Sequence, residues 1–157
     1  MKPAPTEGTA APAFTLPADD GTTVSLADLK GKKVVLYFYP RDNTPGCTIE
    51  AVGFRDHSKE YADRNAVILG VSRDSVRTHA GFKSKQSLDF PLLSDPDAQV
   101  IAEYGSWGEK KFMGRTFMGI LRTTILIDEE GVVRKVFPQV SPKEHAREVL
   151  DAIDAMS

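Results

Sequence analysis

Val34-Val35-Leu36-Tyr37-Phe38-Tyr39-Pro40-Arg41-Asp42-Asn43-Thr44-Pro45-Gly46-Cys47 joins two signals of opposite kind. Its first six residues form an unbroken β-branched and aromatic run, which suits a strand buried on both faces of a mixed sheet. Pro40 stops that run, and Arg41 to Gly46 is a dense loop signal. The stretch that follows, to about Arg64, predicts a helix with Ala51, Phe54, Ser58, Tyr61 and Ala62 on one face. With Thr44 as N-cap, Pro45 is the first helical residue and Cys47 the third. Each identity fits its position: a hydroxyl for the cap, a proline whose missing N–H is lost at no cost there, and Gly46 for close backbone approach.

Outward from this stretch, Val67 to Val71 predicts a second central strand, and Asp74 or Ser75 caps a helix to about Gln86, completing a β-α-β unit. Upstream, Phe14 to Leu16 and Thr23 to Leu26 flank the turn signal Asp19-Asp20-Gly21 and predict an N-terminal β-hairpin. Downstream, Phe90 to Leu93 predicts a short strand, and Ser94 to Tyr104 a short helix with Pro96 in its first turn. Thr123 to Ile127 and Val132 to Phe137 predict a second hairpin. Ser141-Pro142-Lys143-Glu144 opens the last helix, where Ala146, Val149, Leu150, Ile153 and Met156 make an apolar stripe. Gly105 to Ile120 reads as one irregular loop, functional or mobile. The order is that of an α/β domain, a central mixed β-sheet flanked by helices, in a single domain over residues 1–157.

Composition narrows the function. Twenty Lys and Arg against 22 Asp and Glu leave a net charge of −2, so no global positive field is available for nucleic acid or an anionic membrane. The N-terminus, with prolines and Glu7 where a secretory signal would be apolar, predicts no export, and no apolar run approaches bilayer length. A cytoplasmic protein is expected, with its thiol kept reduced. One cysteine excludes an intrachain disulfide, a four-cysteine zinc site and a C-x-x-C pair. His57, His79 and His145 share no metal-ligand spacing with nearby Cys or carboxylates, and no phosphate-cradling glycine motif is present, so neither metal nor cofactor is expected. Lys110, Lys111 and Arg115 read as a small solvated basic edge.

A free cysteine is often only a small buried hydrophobe. At the third position of a helix, however, the sulfur of Cys47 sits among unpaired N–H groups at the positive end of the helix dipole, which favours a thiolate. The strand-loop-helix arrangement also places it at the carboxyl edge of a central strand, where open α/β sheets bind ligands.

The run Tyr37 to Thr48 closely resembles the active-site signature P-x-x-x-T-x-x-C of peroxiredoxins, in the Q-type or bacterioferritin-comigratory-protein branch. Glu50 with Phe54-Arg55-Asp56, Gly70 to Ser75, Phe90 to Asp95, and Arg122-Thr123-Thr124 with Ile127-Asp128 extend the resemblance over about residues 8 to 155. It implies a thioredoxin-like fold and a thiol-dependent peroxidase acting on hydrogen peroxide and organic hydroperoxides. Carried over by position, Cys47 is the peroxidatic nucleophile, Thr44 the hydroxyl that contacts the peroxide, Pro40 the residue shielding the site, Arg122 the cation, and Glu50 the carboxylate that orients it. Each has a plainer alternative: Thr44 as a cap, Pro40 as a strand end, Arg122 and Glu50 as solvated charges.

Ionisation alone does little for a thiol. An ordinary one is roughly 3% thiolate at neutral pH, so complete ionisation gains about 30-fold. Because nucleophilicity falls with basicity, a drop of about 2.5 in pKa returns roughly 13-fold of that gain. Most of the acceleration must therefore come from donors that hold the peroxide in line and stabilise the departing oxygen, a role for Arg122, Thr44 and the backbone N–H of Cys47.

The chain departs from the branch in one respect. Many members keep a resolving cysteine five residues after the first, where this chain has Val52, and others near the positions of Lys83 and Ser84. A one-cysteine cycle is implied, with the sulfenic acid reduced by an external thiol, a thioredoxin-like protein or glutathione. The expected state is a monomer, at most weakly dimeric. A disulfide reductase would need the second thiol that Cys47-Thr48-Ile49-Glu50 lacks, and a peroxide sensor would oxidise once without turnover.

Overall fold

The computed structural model describes residues 3–156. Met1, Lys2 and Ser157, part of the single domain expected over the whole chain and of the N-terminus read for an export signal, lie outside the described residues. In chain order the elements are β1 (Thr15–Pro17), β2 (Thr23–Ser25), a 3-10 turn (Leu26–Leu29), β3 (Lys33–Phe38), α1 (Pro45–Asp56), α2 (Ser58–Asp63), β4 (Ala66–Ser72), α3 (Val76–Gln86), β5 (Leu92–Ser94), α4 (Gln99–Glu103), β6 (Trp107–Phe112), β7 (Arg115–Ile120), β8 (Thr123–Ile127), β9 (Val133–Phe137) and α5 (His145–Ala155).

The main sheet has the order β5-β4-β3-β8-β9, with β3 at its centre. β3 pairs in parallel with β4 and antiparallel with β8, so the sheet is mixed, as the apolar run predicts. Its side chains alternate between two cores. Val35 and Tyr37, with Tyr39 just beyond, face Ala51 and Phe54 of α1, Phe82 of α3 and the stripe of α5; Val34, Leu36 and Phe38 face Leu16, Ile101 and Tyr104. In α5, Ala146, Val149, Leu150 and Ile153 are buried at helical spacing, and each of the larger three removes about 1.5–3 kcal/mol worth of apolar surface from water. The opening hairpin pairs Leu16 with Val24.

Several boundaries differ from expectation. The helix toward Arg64 breaks at His57, whose φ is −105° and whose Nδ1 lies 2.9 Å from the Gly53 carbonyl, the oxygen its own N–H would bond in an unbroken helix; that N–H turns instead to Phe54. Pro96 precedes α4 rather than starting it: both carboxylate oxygens of Asp95 accept first-turn N–H groups, from Gln99 and Ile101. Helix α5 begins at His145, after Glu144 at φ +64°, so Ser141 and Glu144 form no cap at its start. Of the two candidates before α3, Ser75 caps it, accepting from the Thr78 N–H at 3.1 Å.

The largest difference is at Gly105 to Ile120. That stretch is a hairpin, β6 with β7, whose two-residue turn is Met113-Gly114 with φ +50° and +78°. Phe112, Met113, Phe117 and Met118 stay exposed on it, so no apolar alternation marks the strands.

Candidate active site

The register of the central strand assembles the site. Phe38 pairs with both Val71 of β4 and Thr123 of β8, so the chain leaves β3 beside the residue that precedes β8, Arg122. The turn at Pro40 then brings the start of α1 back over the same edge. Arg122 is held by its backbone as well, its carbonyl accepting from the Val140 N–H at 2.9 Å.

Cys47 is the third residue of α1 and is only 1% exposed. Its burial would suit an inert core thiol, but its partner does not: Nη2 of Arg122 donates to Sγ at 3.3 Å. Nη1 of the same guanidinium donates to Oε1 of Glu50 at 2.7 Å. Glu50 lies one helical turn after Cys47 on the buried face, so one planar guanidinium spans sulfur and carboxylate.

The electrostatics follow from burial. Burial pushes Glu50 up to about 7, with Arg122 opposing that rise by charge and hydrogen bond. Burial works against the charge of Arg122, but Glu50 and Cys47 outweigh it and hold the guanidinium above its ordinary value. Among the described residues, Oε2 of Glu50 is buried without a hydrogen-bond partner. The fixed, partly desolvated cation therefore faces the sulfur.

Thr44 occupies the N-cap in its backbone, with φ −88° and ψ 153°, and its carbonyl accepts from the Thr48 N–H at 2.9 Å. The hydroxyl makes no cap hydrogen bond. It donates to the Arg41 carbonyl at 2.9 Å instead, which corrects the hydroxyl-cap expectation and leaves the oxygen's lone pairs to accept from a ligand. Pro40, half-buried, and Arg122 share the lining of a cavity of about 470 Å³ whose walls also include Leu121, Val136, Pro138 and Lys110.

Lys110 is a component the sequence reading passed over as a solvated edge. Its Nζ donates to the Ile120 carbonyl at 2.9 Å, and its ammonium is held below the ordinary range by burial first and then by Arg122, with Cys47 opposing. Only the hairpin pairing brings it there. Val52 is half-buried within α1, while Lys83 and Ser84 lie in α3.

Comparison with known proteins gives a consistent result. Residues 8–136 match the AhpC/TSA family. The chain is 47% identical over 150 residues to peroxiredoxin Bcp of Bacillus subtilis, covering 96% of each, and 44% identical over 144 residues to peroxiredoxin Bcp of Escherichia coli K12, covering 92% of each. Among solved structures it resembles the bacterioferritin comigratory protein of Xanthomonas campestris, described for its alkyl peroxide reduction activity, with TM-score 0.87, 39% identity and 91% of each chain covered. A Xylella fastidiosa PrxQ mutant superimposes with TM-score 0.88 at 34% identity, over 97% of this chain and 99% of that one.

Proposed function

The chain belongs to the AhpC/TSA family as a peroxiredoxin of the Bcp, or Q-type, branch, and from that membership we propose how its own residues carry out peroxide reduction. It is a thiol-dependent peroxidase with one cysteine. The Cys47 thiolate attacks one oxygen of a hydroperoxide; the S–O bond forms as the O–O bond breaks, and the second oxygen leaves as water or an alcohol after taking a proton. Sulfur is oxidised to a sulfenic acid and the peroxide is reduced. An external thiol, from a thioredoxin-like protein or glutathione, then condenses with the sulfenic acid to a mixed disulfide, releasing water. A second thiol displaces Cys47 in its reduced form.

In this reading Arg122 stabilises charge on the reacting oxygens, Glu50 fixes the guanidinium, the Thr44 hydroxyl and the first-turn N–H groups orient the peroxide, and Pro40 keeps water from the sulfur. The cavity between Pro40 and Arg122, walled by Leu121, Val136 and Pro138, takes the organic part of a larger hydroperoxide. The working unit in this reading is a monomer, at most weakly dimeric. A cytoplasmic setting supplies the thiols; among the described residues no helix is long and apolar enough to cross a membrane.

The observation that carries the reading is the single guanidinium bridging Cys47 and Glu50. Sustained consumption of hydrogen peroxide with a supplied thiol is the test. One stoichiometric oxidation without turnover, across a panel of protein and low-mass thiols, would replace catalysis by sensing.

A further inference from the structure

Asp42, in the loop that links β3 to α1, is a buried carboxylate, with exposed Arg41 and Asn43 on either side. Both oxygens of its carboxylate are engaged. The Tyr39 hydroxyl donates to Oδ1 at 2.6 Å, and Nδ1 of His79 lies 2.6 Å from Oδ2. The Asp42 N–H donates to Oδ2 of Asp74 at 2.9 Å, and that oxygen also accepts from the Ser72 hydroxyl at 2.6 Å. Nε2 of His79 lies 3.0 Å from the Leu93 carbonyl. Both ring nitrogens therefore face acceptors, the Asp42 carboxylate and the Leu93 carbonyl, and the ring is held at both ends.

A histidine and two carboxylates whose ligand atoms lie within 4.8 Å of one another could hold a cation. Here, however, both oxygens of Asp42 and Oδ2 of Asp74 already accept hydrogen bonds and His79 is fixed at both ends, so the group is a clamp. It ties the loop to α3 through His79, to the end of β4 through Ser72 and to β5 through Leu93. In the sheet, β4 and β5 lie on the side of β3 opposite β8, the strand that follows Arg122.

We propose that His79 is a positioning residue for peroxide reduction, acting through Asp42 on the loop that carries Pro40 and Thr44. The inference rests on the reading of Cys47, Thr44 and Arg122 given above. The site has two walls with separate supports: Arg122 is held by Glu50 and Val140, and the loop by Asp42. Removing His79 loosens only the second wall. In-line displacement is sensitive to such loosening, a misplacement of about 1 Å reducing a rate by about 10²-fold. Alkylation of the sulfur by iodoacetamide needs the thiolate but none of the loop's contacts.

The test uses the full chain carrying His79→Gln or Tyr39→Phe, with folding checked by near-UV circular dichroism. In folded His79→Gln, single-turnover oxidation of Cys47 by hydrogen peroxide should slow by about 10- to 100-fold, the range expected for misplaced contacts, while iodoacetamide alkylation stays within about threefold. Tyr39→Phe removes the other bond to Asp42 and keeps the ring, and should slow the peroxide reaction by about three- to tenfold with the same selectivity. Unchanged peroxide kinetics overturn the proposal, and so do equal losses toward peroxide and iodoacetamide. If His79→Gln does not fold, Tyr39→Phe decides by the same criteria. Arg122→Ala in parallel keeps the two readings apart: if it too reacts normally with peroxide, the site assignment fails, whatever His79 does.

Discussion

The guanidinium of Arg122 lies so close to Gly46 that a β-carbon on residue 46 would stand 3.3 Å from Nη2 and 3.5 Å from Cγ of Pro142. Such a carbon forces the guanidinium to give by a few tenths of an ångström. Gly46→Ala should therefore slow peroxide oxidation of Cys47 by about tenfold, through a displaced charge, even though alanine is favoured over glycine within a helix by up to about 1 kcal/mol. Stopped-flow kinetics beside a thermal melt would show the pair of effects. A slower reaction in a protein at least as stable is the expected result.

Removing the guanidinium is more severe. Arg122→Ala should keep a thiol that titrates with a disulfide reagent yet lose about 10²- to 10³-fold in reaction with peroxide, the cost of one preorganised donor. Arg122→Lys should recover little, because an ammonium cannot span Sγ and Oε1 as the planar fork does. Cys47→Ser should abolish turnover, since a hydroxyl is not ionised near neutral pH. Normal peroxide kinetics in folded Arg122→Ala would contradict the assignment.

Glu50 gives a pH dependence with a definite sign. Its carboxyl rises from an ordinary 4.5 to about 7 on folding, mainly through burial. Between those values the folded chain keeps a proton that the unfolded chain has released, so the stability associated with that proton is full below 4.5 and is lost as pH rises through about 7. Glu50→Gln does not titrate. Its stability relative to the parent should therefore increase with pH across this window, by up to about 3 kcal/mol. Denaturant unfolding of both proteins at pH 5 and pH 8 measures the difference, and parallel pH dependence would show that folding does not raise the Glu50 carboxyl.

The missing resolving thiol fixes the products. One equivalent of peroxide without added thiol should give a sulfenic acid on Cys47 that dimedone traps, and excess peroxide should carry it to sulfinic acid. Intact mass after alkylation reads both. In α1, positions 47 and 52 are separated by roughly 7.5 Å along the axis and about 140° around it. A Val52→Cys variant should thus form no internal disulfide while the helix stays wound. Rapid, complete conversion of the parent to a covalent dimer, even in dilute solution, would argue against external reduction as the main route.

The parts legible in the sequence are those written locally. The run from Val34 to Tyr39 declares a strand buried on both faces, and Thr44-Pro45-Gly46-Cys47 declares a helix start, because both depend on neighbours a few residues away. Arg122 and Glu50 were found only through resemblance, since 72 residues separate them and nothing in the spacing joins them. The clamp on Asp42 was missed for the same reason: His79 is 37 residues away, and α3 and the loop meet only after β3 and β4 have paired. The β6–β7 hairpin was missed because its strands leave phenylalanines and methionines exposed, so the contrast between faces that reveals a half-buried strand never develops.

Because Cys47 meets Arg122 only when β8 lies beside β3, an unfolded chain should carry an ordinary thiol and a folded one a peroxide-selective thiol. The ratio of peroxide to iodoacetamide reactivity is then a chemical count of native molecules. In a refolding mixture, a brief peroxide pulse would mark the chains whose central strands have paired and leave the others reduced, so mass spectrometry could follow the assembly of β3 and β8 in time without any added label.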